Sequence, residues 1–299
     1  MNALLIINPA SGRNLIGDYV DDILSLLRKK GFQTEVCETR RKDDAKYFAK
    51  EKGESCDLIV CCGGDGTLSE VTNGVAELHR RPAIGYIPTG TTNDFSKNMG
   101  LSTDILQSII DLNHGSPREL DIGKFGSKYF IYVASFGLFA ESSYATPQNL
   151  KKRLGHLAYV ITGTKELLNL RSYHVKVTDD SGNTYEDEYI YGSVSNSTSI
   201  GGLMRFDDAL VDLQDGLHEV VLIRRPKSIA EFNDAARAIL SGKNDSALIT
   251  VFSAREVTFE SETPIDWSLD GEHEHTGQTV TVRNISRAIK LFFPKSASK

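Results

Sequence analysis

Asp57-Leu58-Ile59-Val60-Cys61-Cys62-Gly63-Gly64-Asp65-Gly66-Thr67-Leu68 is the stretch that decides the fold class. Asp57 to Cys62 is an apolar run without polar alternation, as expected of a strand buried on both faces. Glycines end it, and from roughly Thr67 to Leu78 the apolar residues recur at helical spacing. The flanking sequence repeats this strand–turn–helix pattern. Ala3 to Ile7 is another apolar run, followed by Ile16, Val20, Ile23, Leu24 and Leu27 at helical spacing, with Gly31 where the helix should stop. Phe32 to Cys37 alternates like a strand, Asp43 to Lys52 reads as a polar-surfaced helix, and Ala83 to Ile87 is a further strand. The repetition predicts a parallel sheet with helices on both faces.

The rest of the chain has a different rhythm. Strand patterns fall at Tyr129 to Ala134, Tyr173 to Val177, Tyr185 to Val194, Leu217 to Ile223, Ala247 to Phe252, Glu256 to Glu260 and Thr279 to Arg283. Close strands separated by polar turns, such as Asp180-Ser181-Gly182-Asn183, predict an antiparallel β-sandwich. Helical patterns span roughly Gly155 to Leu170 and Ile229 to Leu240. The expected organisation is an α/β domain over residues 1–117 and a β-sandwich domain over 118–287. Ala288 to Phe293 is an apolar segment that returns to the first domain, taking 288–299 with it.

Composition narrows the class. With 299 residues the chain is about twice a typical domain. Hydrophobic residues make up 40% and charged residues 25%, which excludes a wholly disordered chain. No apolar run approaches the ~18 residues of a membrane span. Met1 to Ile7 lacks a basic region and breaks at Asn8-Pro9, so it does not read as a signal peptide. Cys37, Cys56, Cys61 and Cys62 lack zinc-finger spacing and suit a reduced, cytoplasmic protein. A net charge of −6 argues against nucleic-acid binding through bulk charge.

Three loops end strands and begin helices: Asn8-Pro9-Ala10-Ser11-Gly12-Arg13, Gly63-Gly64-Asp65-Gly66-Thr67 and Gly90-Thr91-Thr92-Asn93-Asp94-Phe95. In an open parallel sheet they lie along the carboxyl edge, where ligands bind. Glycines let backbone approach phosphate closely, and helix N-termini aim N–H groups at anions. Ser11, Thr67, Thr91 and Thr92 add hydroxyls, and Arg13 adds a positive charge. Asp65 and Asp94 would repel phosphate directly, so carboxylates here imply Mg²⁺ or the water around it. A single such loop is as often structural as functional. Three on one edge, two with an aspartate, read as a nucleotide-phosphate site with metal. Neither a Walker motif nor a dinucleotide fingerprint is present.

Two acidic stretches in the second half have two readings each. Asp270-Gly271 between strand patterns is a strong hairpin-turn signal, and an aspartate there could also accept a proton in phosphoryl transfer. The loop Asp212-Leu213-Gln214-Asp215-Gly216-Leu217 is a solvated acidic loop or a hard-cation site built from two carboxylates and a carbonyl. Glu272-His273-Glu274-His275 puts two histidines on one strand face, but no third histidine or cysteine is near in sequence, so an exposed hairpin end is the expectation. Trp267 is expected to pack in the core or at an interface rather than anchor to lipid.

The three glycine blocks, in this order and spacing, resemble the signature blocks of the diacylglycerol kinase catalytic family, most closely its bacterial soluble lipid-kinase branch of the DgkB and YegS type. The resemblance runs over nearly the whole chain. It implies ATP held between the first two blocks, with Gly64, Gly66 and Thr67 near the phosphates and Asn8, Ser11, Gly12, Arg13, Gly63, Thr91, Asn93 and Glu272 as further nucleotide-binding residues. Asp65, Asp94 and Asp121 resemble the aspartates that organise water and catalytic Mg²⁺, and Glu70 a nucleotide-site glutamate. Leu269-Asp270-Gly271-Glu272 resembles an L-D-G-E block whose aspartate, Asp270, is the general base. A structural Mg²⁺ is implied at Asp212, Asp215 and the carbonyl of Leu217. The run Tyr132 to Ala140 and Asp207, where a proline is usual, depart from the family pattern and bear on the acceptor.

The expected activity is ATP- and Mg²⁺-dependent transfer of a γ-phosphate to a lipid hydroxyl in phospholipid biosynthesis, with diacylglycerol the leading acceptor and phosphatidic acid the product. Phosphatidylglycerol, a sphingoid lipid or NAD are alternative acceptors, and a non-catalytic nucleotide-binding regulator is the alternative from another class. Lys151-Lys152-Arg153, ahead of Leu154, Leu157, Val160 and Ile161, reads either as the charged start of a core helix or as an attachment to anionic lipid. The expected partners are ATP, a lipid substrate and the membrane surface, with a homodimer admitted and no nucleic acid. The expected location is cytoplasmic, peripheral to the membrane.

Overall fold

The computed structural model describes residues 1–12, 15–138, 170–196, 199–200, 204–205, 213–241 and 245–295. The expected helix from Gly155 to Leu170 and the basic Lys151 to Arg153 stretch lie outside them, apart from Leu170. The chain divides into two units, Met1–Ile122 with Ser286–Lys299, and Gly123–Ile285.

In the first unit the elements run β1 (Asn2–Ile7), a 3-10 turn (Leu15–Tyr19), α1 (Val20–Lys29), β2 (Gln33–Glu38), α2 (Asp44–Gly53), β3 (Leu58–Gly63), α3 (Asp65–Ala76), β4 (Ala83–Pro88), α4 (Asp94–Asn98), α5 (Ile105–His114) and β5 (Ser116–Phe125), the last of which runs on into the second unit. β1 pairs in parallel with β2 on one side and β3 on the other, and β3 pairs in parallel with β4. Strand order therefore reverses beside β1, and the crevice at the β1 and β3 carboxyl ends is where open α/β sheets bind ligands. Leu4, Leu5 and Ile6 are fully buried in succession, which is why this strand shows no alternation. α1 turns Ile23 and Leu27 inward, with Asp21 and Asp22 in its first turn and Arg28 and Lys29 in its last, matching the helix dipole. Gly31 follows with φ +83°, the left-handed stop that glycine favours. The sequence pattern missed α4 and α5, which fill the 90–115 segment with two short helices.

The second unit contains β6 (Lys128–Phe130), β7 (Val133–Gly137), β8 (Tyr173–Asp179), β9 (Thr184–Ser195), β10 (Ser199–Ile200), β11 (Met204–Arg205), β12 (His218–Arg224), α6 (Ile229–Ser241), β13 (Ile249–Ala254), β14 (Glu256–Ser261), β15 (Asp266–Leu269), β16 (Glu272–His275) and β17 (Thr279–Phe293), whose last residues return to the first unit. There Lys290 and Leu291 pair in parallel with Ala83 and Ile84 of β4. Strand pairing within the second unit is antiparallel, in the order β16-β15-β7-β9-β8-β14-β17, with β12 also on β9 and β13 on β12. The fold is thus a parallel α/β unit followed by a β-sandwich unit. Trp267 is 1% exposed and lies in the core, with Phe125, Phe136 and Phe259 ring centroids 4.8–5.0 Å from its own. Tyr129 to Ala134 is not one strand, as its sequence pattern predicts, but two, broken at Ile131 and Tyr132.

Candidate functional site

The three glycine loops meet in the first unit. β1 and β3 are adjacent, so the loops leaving them are neighbours from the start. Asn8 N–H donates to the Cys62 carbonyl at 2.8 Å, and Thr89 N–H donates to the Gly63 carbonyl at 2.9 Å. The Asn8 side-chain amide donates to Thr67 Oγ1 at 3.0 Å, while its Oδ1 accepts from Ala10 N–H at 3.1 Å. One asparagine therefore shapes its own loop and ties it to the first turn of α3.

Close backbone approach explains two of the glycines. A Cβ on Gly90 would lie 2.7 Å from Gly64 Cα, so the second and third loops touch backbone to backbone. Gly12 has φ +64°, and a Cβ there would run into the Thr89 carbonyl oxygen. Such packing brings glycine backbone from the loops close together at the N-terminus of α3, and main-chain N–H groups at a helix start can receive phosphate. Gly66 and Thr67 lie in that first turn, Ser11 is half-buried beside Gly64, and Thr91 is exposed on the third loop. Arg13 lies outside the described residues.

The two loop aspartates are linked. Asp65 accepts from Asp94 N–H at 2.8 Å and from Phe95 N–H at 3.1 Å, satisfying the first donors of α4. Asn93, immediately before that helix, is left-handed at φ 49°. Burial pushes the Asp65 carboxyl up despite those donors. Burial, with the Asp65 charge added, raises Asp94 to about 6. Asp94 Oδ1, Asn93 Oδ1 and Thr89 Oγ1 are all buried without a hydrogen-bond partner. Asp94 Oδ1 and the nearby Asn93 and Thr89 side-chain oxygens thus lack donors, and the Lys97 charge only partly offsets the two crowded carboxyl groups. A hard divalent cation with its water shell fits that donor set.

Two other expected site residues are engaged elsewhere. Glu70 accepts from Asp43 N–H at 3.0 Å and Ala45 N–H at 3.1 Å, holding the N-terminus of α2. Asp121 is fully buried on β5 and accepts from Arg287 N–H at 2.7 Å, where β17 carries a left-handed residue at φ 50°.

In the second unit Asp270 and Gly271 form the two-residue turn between β15 and β16, with φ of 49° and 92°. Both positive values match the hairpin turn that Asp-Gly favours. The Asp270 carboxylate is 6% exposed and points back into the sheet. Its Oδ2 accepts from Ile131 N–H at 2.7 Å, and its Oδ1 from Tyr132 N–H at 3.0 Å and Val133 N–H at 3.1 Å. This is what divides β6 from β7: three successive amides turn from the ladder to one carboxylate. Nothing in the apolar run 129–134 signals it. Glu272 is exposed on β16.

Asp215 and Leu217 share a loop before β12, and Asp212 lies outside the described residues. Asp215 Oδ1 accepts from Leu217 N–H at 2.8 Å, and the Leu217 carbonyl accepts from Asn284 Nδ2 at 2.9 Å. His218, next in the chain, is buried against Phe130, and burial lowers its imidazole to about 3.

Known proteins resemble this chain along nearly its whole length. Residues 2–125 match the diacylglycerol kinase catalytic domain, and residues 133–293 match the YegS C-terminal NAD kinase beta sandwich-like domain. A diacylglycerol kinase of Bacillus subtilis is 34% identical over 305 residues, covering 99% of this chain and 98% of that protein. One from Staphylococcus epidermidis is 32% identical over 296 residues, covering 98% and 92%. A crystal structure of a putative diacylglycerol kinase from Bacillus anthracis superposes with a TM-score of 0.80 at 25% identity, covering 99% and 98%. The chain belongs to the diacylglycerol kinase catalytic family, in its bacterial branch with a YegS-type C-terminal domain, and is a lipid kinase with an alcohol group as acceptor.

Proposed function

We propose that the chain transfers the γ-phosphate of ATP to the free hydroxyl of diacylglycerol, giving phosphatidic acid and ADP. The observation that carries this reading is the convergence of three glycine loops on Asp65 and Asp94, with Asp94 Oδ1 buried and unpartnered. The names of the relatives support the acceptor.

Main-chain N–H groups at the start of α3, with Gly64 and Gly66, receive the phosphates, and Asn8 keeps the first loop against them. Mg²⁺ bound through Asp65 and Asp94 would neutralise charge developing on the transferring phosphoryl group. Asp65 and Asp94 are held in position because one caps the helix that the other begins. The lipid hydroxyl oxygen bonds to the γ-phosphorus, the bond from that phosphorus to the β-phosphate oxygen breaks, and the hydroxyl proton passes to a carboxylate. We take that carboxylate to be Asp270, as the family resemblance implies. Its three N–H donors fix its orientation. A second Mg²⁺ at Asp212, Asp215 and the Leu217 carbonyl is part of the proposal, as is Asp121 in the catalytic network. Attachment to the membrane surface follows from an acceptor that resides there; no described helix is long and apolar enough to cross a membrane.

The test is transfer from γ-labelled ATP with Mg²⁺ to diacylglycerol, phosphatidylglycerol and sphingosine in mixed micelles, with NAD as a soluble control. Label in phosphatidic acid, lost in Asp94→Asn, is the expected result. Label in NAD alone would overturn the lipid acceptor, and label in nothing despite ATP binding would point to a nucleotide-binding regulator.

A further inference from the structure

His273 and His275 share a strand face, and the hairpin register supplies the third ligand that sequence proximity does not. The two-residue turn at Asp270-Gly271 pairs Leu269 with Glu272, Ser268 with His273 and Asp266 with His275. Alternation along antiparallel strands therefore puts Asp266, His273 and His275 on one face, the first and last directly opposite. Asp266 Oδ1 lies 2.7 Å from His275 Nδ1 and 3.9 Å from His273 Nε2. The imidazole centroids are 4.4 Å apart at 77° to each other. One ligand atom from each of the three residues lies within 4.8 Å of the other two. With zinc bonds of about 2.0–2.2 Å, tetrahedral donors stand about 3.3–3.6 Å apart. Small rotations of two exposed imidazoles reach that spacing. Arg171 Nη2 stands 3.9 Å from Asp266 Oδ2, whereas both histidine contacts are to Oδ1.

We infer that Asp266, His273 and His275 bind one zinc-type divalent transition-metal ion, through two imidazole nitrogens and one carboxylate oxygen, with water completing the coordination. The nitrogen content of the donor set separates this site from the oxygen-donor positions in the loops. Mg²⁺ prefers oxygen alone, while imidazole with carboxylate suits Zn²⁺. The site stands independently of the acceptor's identity. It lies on the hairpin whose turn places Asp270, so an ion there would brace that hairpin from its exposed face.

The experiment is equilibrium dialysis of the full chain against Zn²⁺ in excess Mg²⁺, which occupies oxygen-donor sites, with retained zinc counted by atomic absorption. Wild type should hold one zinc that His275→Ala and Asp266→Ala both lack. Substituted Co²⁺ should give visible ligand-field bands of low coordination number in wild type and lose them in either variant. Failure of wild type to retain zinc, or equal zinc in wild type and either variant, would overturn the assignment. In that case Asp266 and His275 make only a surface contact.

Discussion

The carboxylate of Asp65 accepts from the main-chain N–H of Asp94 at 2.8 Å, so a residue at the start of one helix caps another that begins 29 positions later. The bond joins two glycine loops and brings two carboxyl groups together in a buried place. Holding them there in the absence of a cation costs stability, and catalytic sites commonly carry such a cost.

Asp94→Asn should therefore stabilise the metal-free protein at neutral pH while abolishing transfer. The folded-state value of Asp94 is about 6, raised from 3.8 by burial and by Asp65. The folded form holds that proton more tightly than the unfolded chain does. The metal-free wild type is thus unpenalised below about pH 4 and loses stability as pH rises through about 6. Urea denaturation at pH 4.5 and 7.5 should show wild type gaining at the acid end relative to Asp94→Asn. At pH 7.5 the variant should lead by about 1–2 kcal/mol once solvent screening is allowed for.

Asp270→Asn is not a neutral exchange of a base for its isostere. The amide oxygen can keep two of the three N–H donors, but its NH₂ group then faces the third. A loss of about 1–3 kcal/mol is expected alongside the loss of transfer. Thermal melting beside the kinase assay measures both. An Asn variant that melts like wild type yet is inactive would show that the donors re-pair and that the charge alone is needed.

Gly90→Ala should be worse than Gly64→Ala. The added Cβ lies 2.7 Å from backbone at Gly64 in the first case, whereas in the second it has 3.3 Å to Gly90 Cα. Backbone cannot step aside as a flexible side chain can. Gly90→Ala should raise the KM for ATP at least roughly tenfold and cost about 1–3 kcal/mol, with Gly64→Ala intermediate. Steady-state kinetics on the two variants decide the order.

Glu70→Gln tests whether that glutamate serves the nucleotide or α2. Its bonds to Asp43 and Ala45 N–H predict a stability loss of about 0.5–2 kcal/mol, as for a lost helix cap, with the KM for ATP changed less than roughly twofold. A large rise in KM at unchanged melting temperature would assign Glu70 to the nucleotide instead.

Much of the parallel unit is legible because fully buried strands and glycine turns leave marks in consecutive residues. β1, β3 and β4 fall on apolar runs, and the three loops fall on their ends. Long-range capture by polar side chains leaves no such mark. Asp65 on α4, Glu70 on α2 and Asp270 on the 131–133 amides each join segments 25 to 139 residues apart. The break between β6 and β7 is the clearest case, since Tyr129 to Ala134 is apolar throughout and only a distant carboxylate interrupts it. Asp266 was within reach of sequence reasoning. A two-residue turn at Asp270-Gly271 counts back directly from His275 to its partner on β15.

The last strand has a consequence for how the protein comes to exist. Ala288, Ile289, Leu291 and Phe293 are buried in the first unit, beside a strand that begins at Ala83, and Arg287 closes on Asp121. During synthesis the ribosome must release the whole sandwich unit before these residues emerge. Until then the free edge of β4 lacks its neighbour, a template for mispairing with other chains. The parallel α/β half is thus the first to be translated and the last to be completed, which gives a nascent chain reason to need a chaperone over β4.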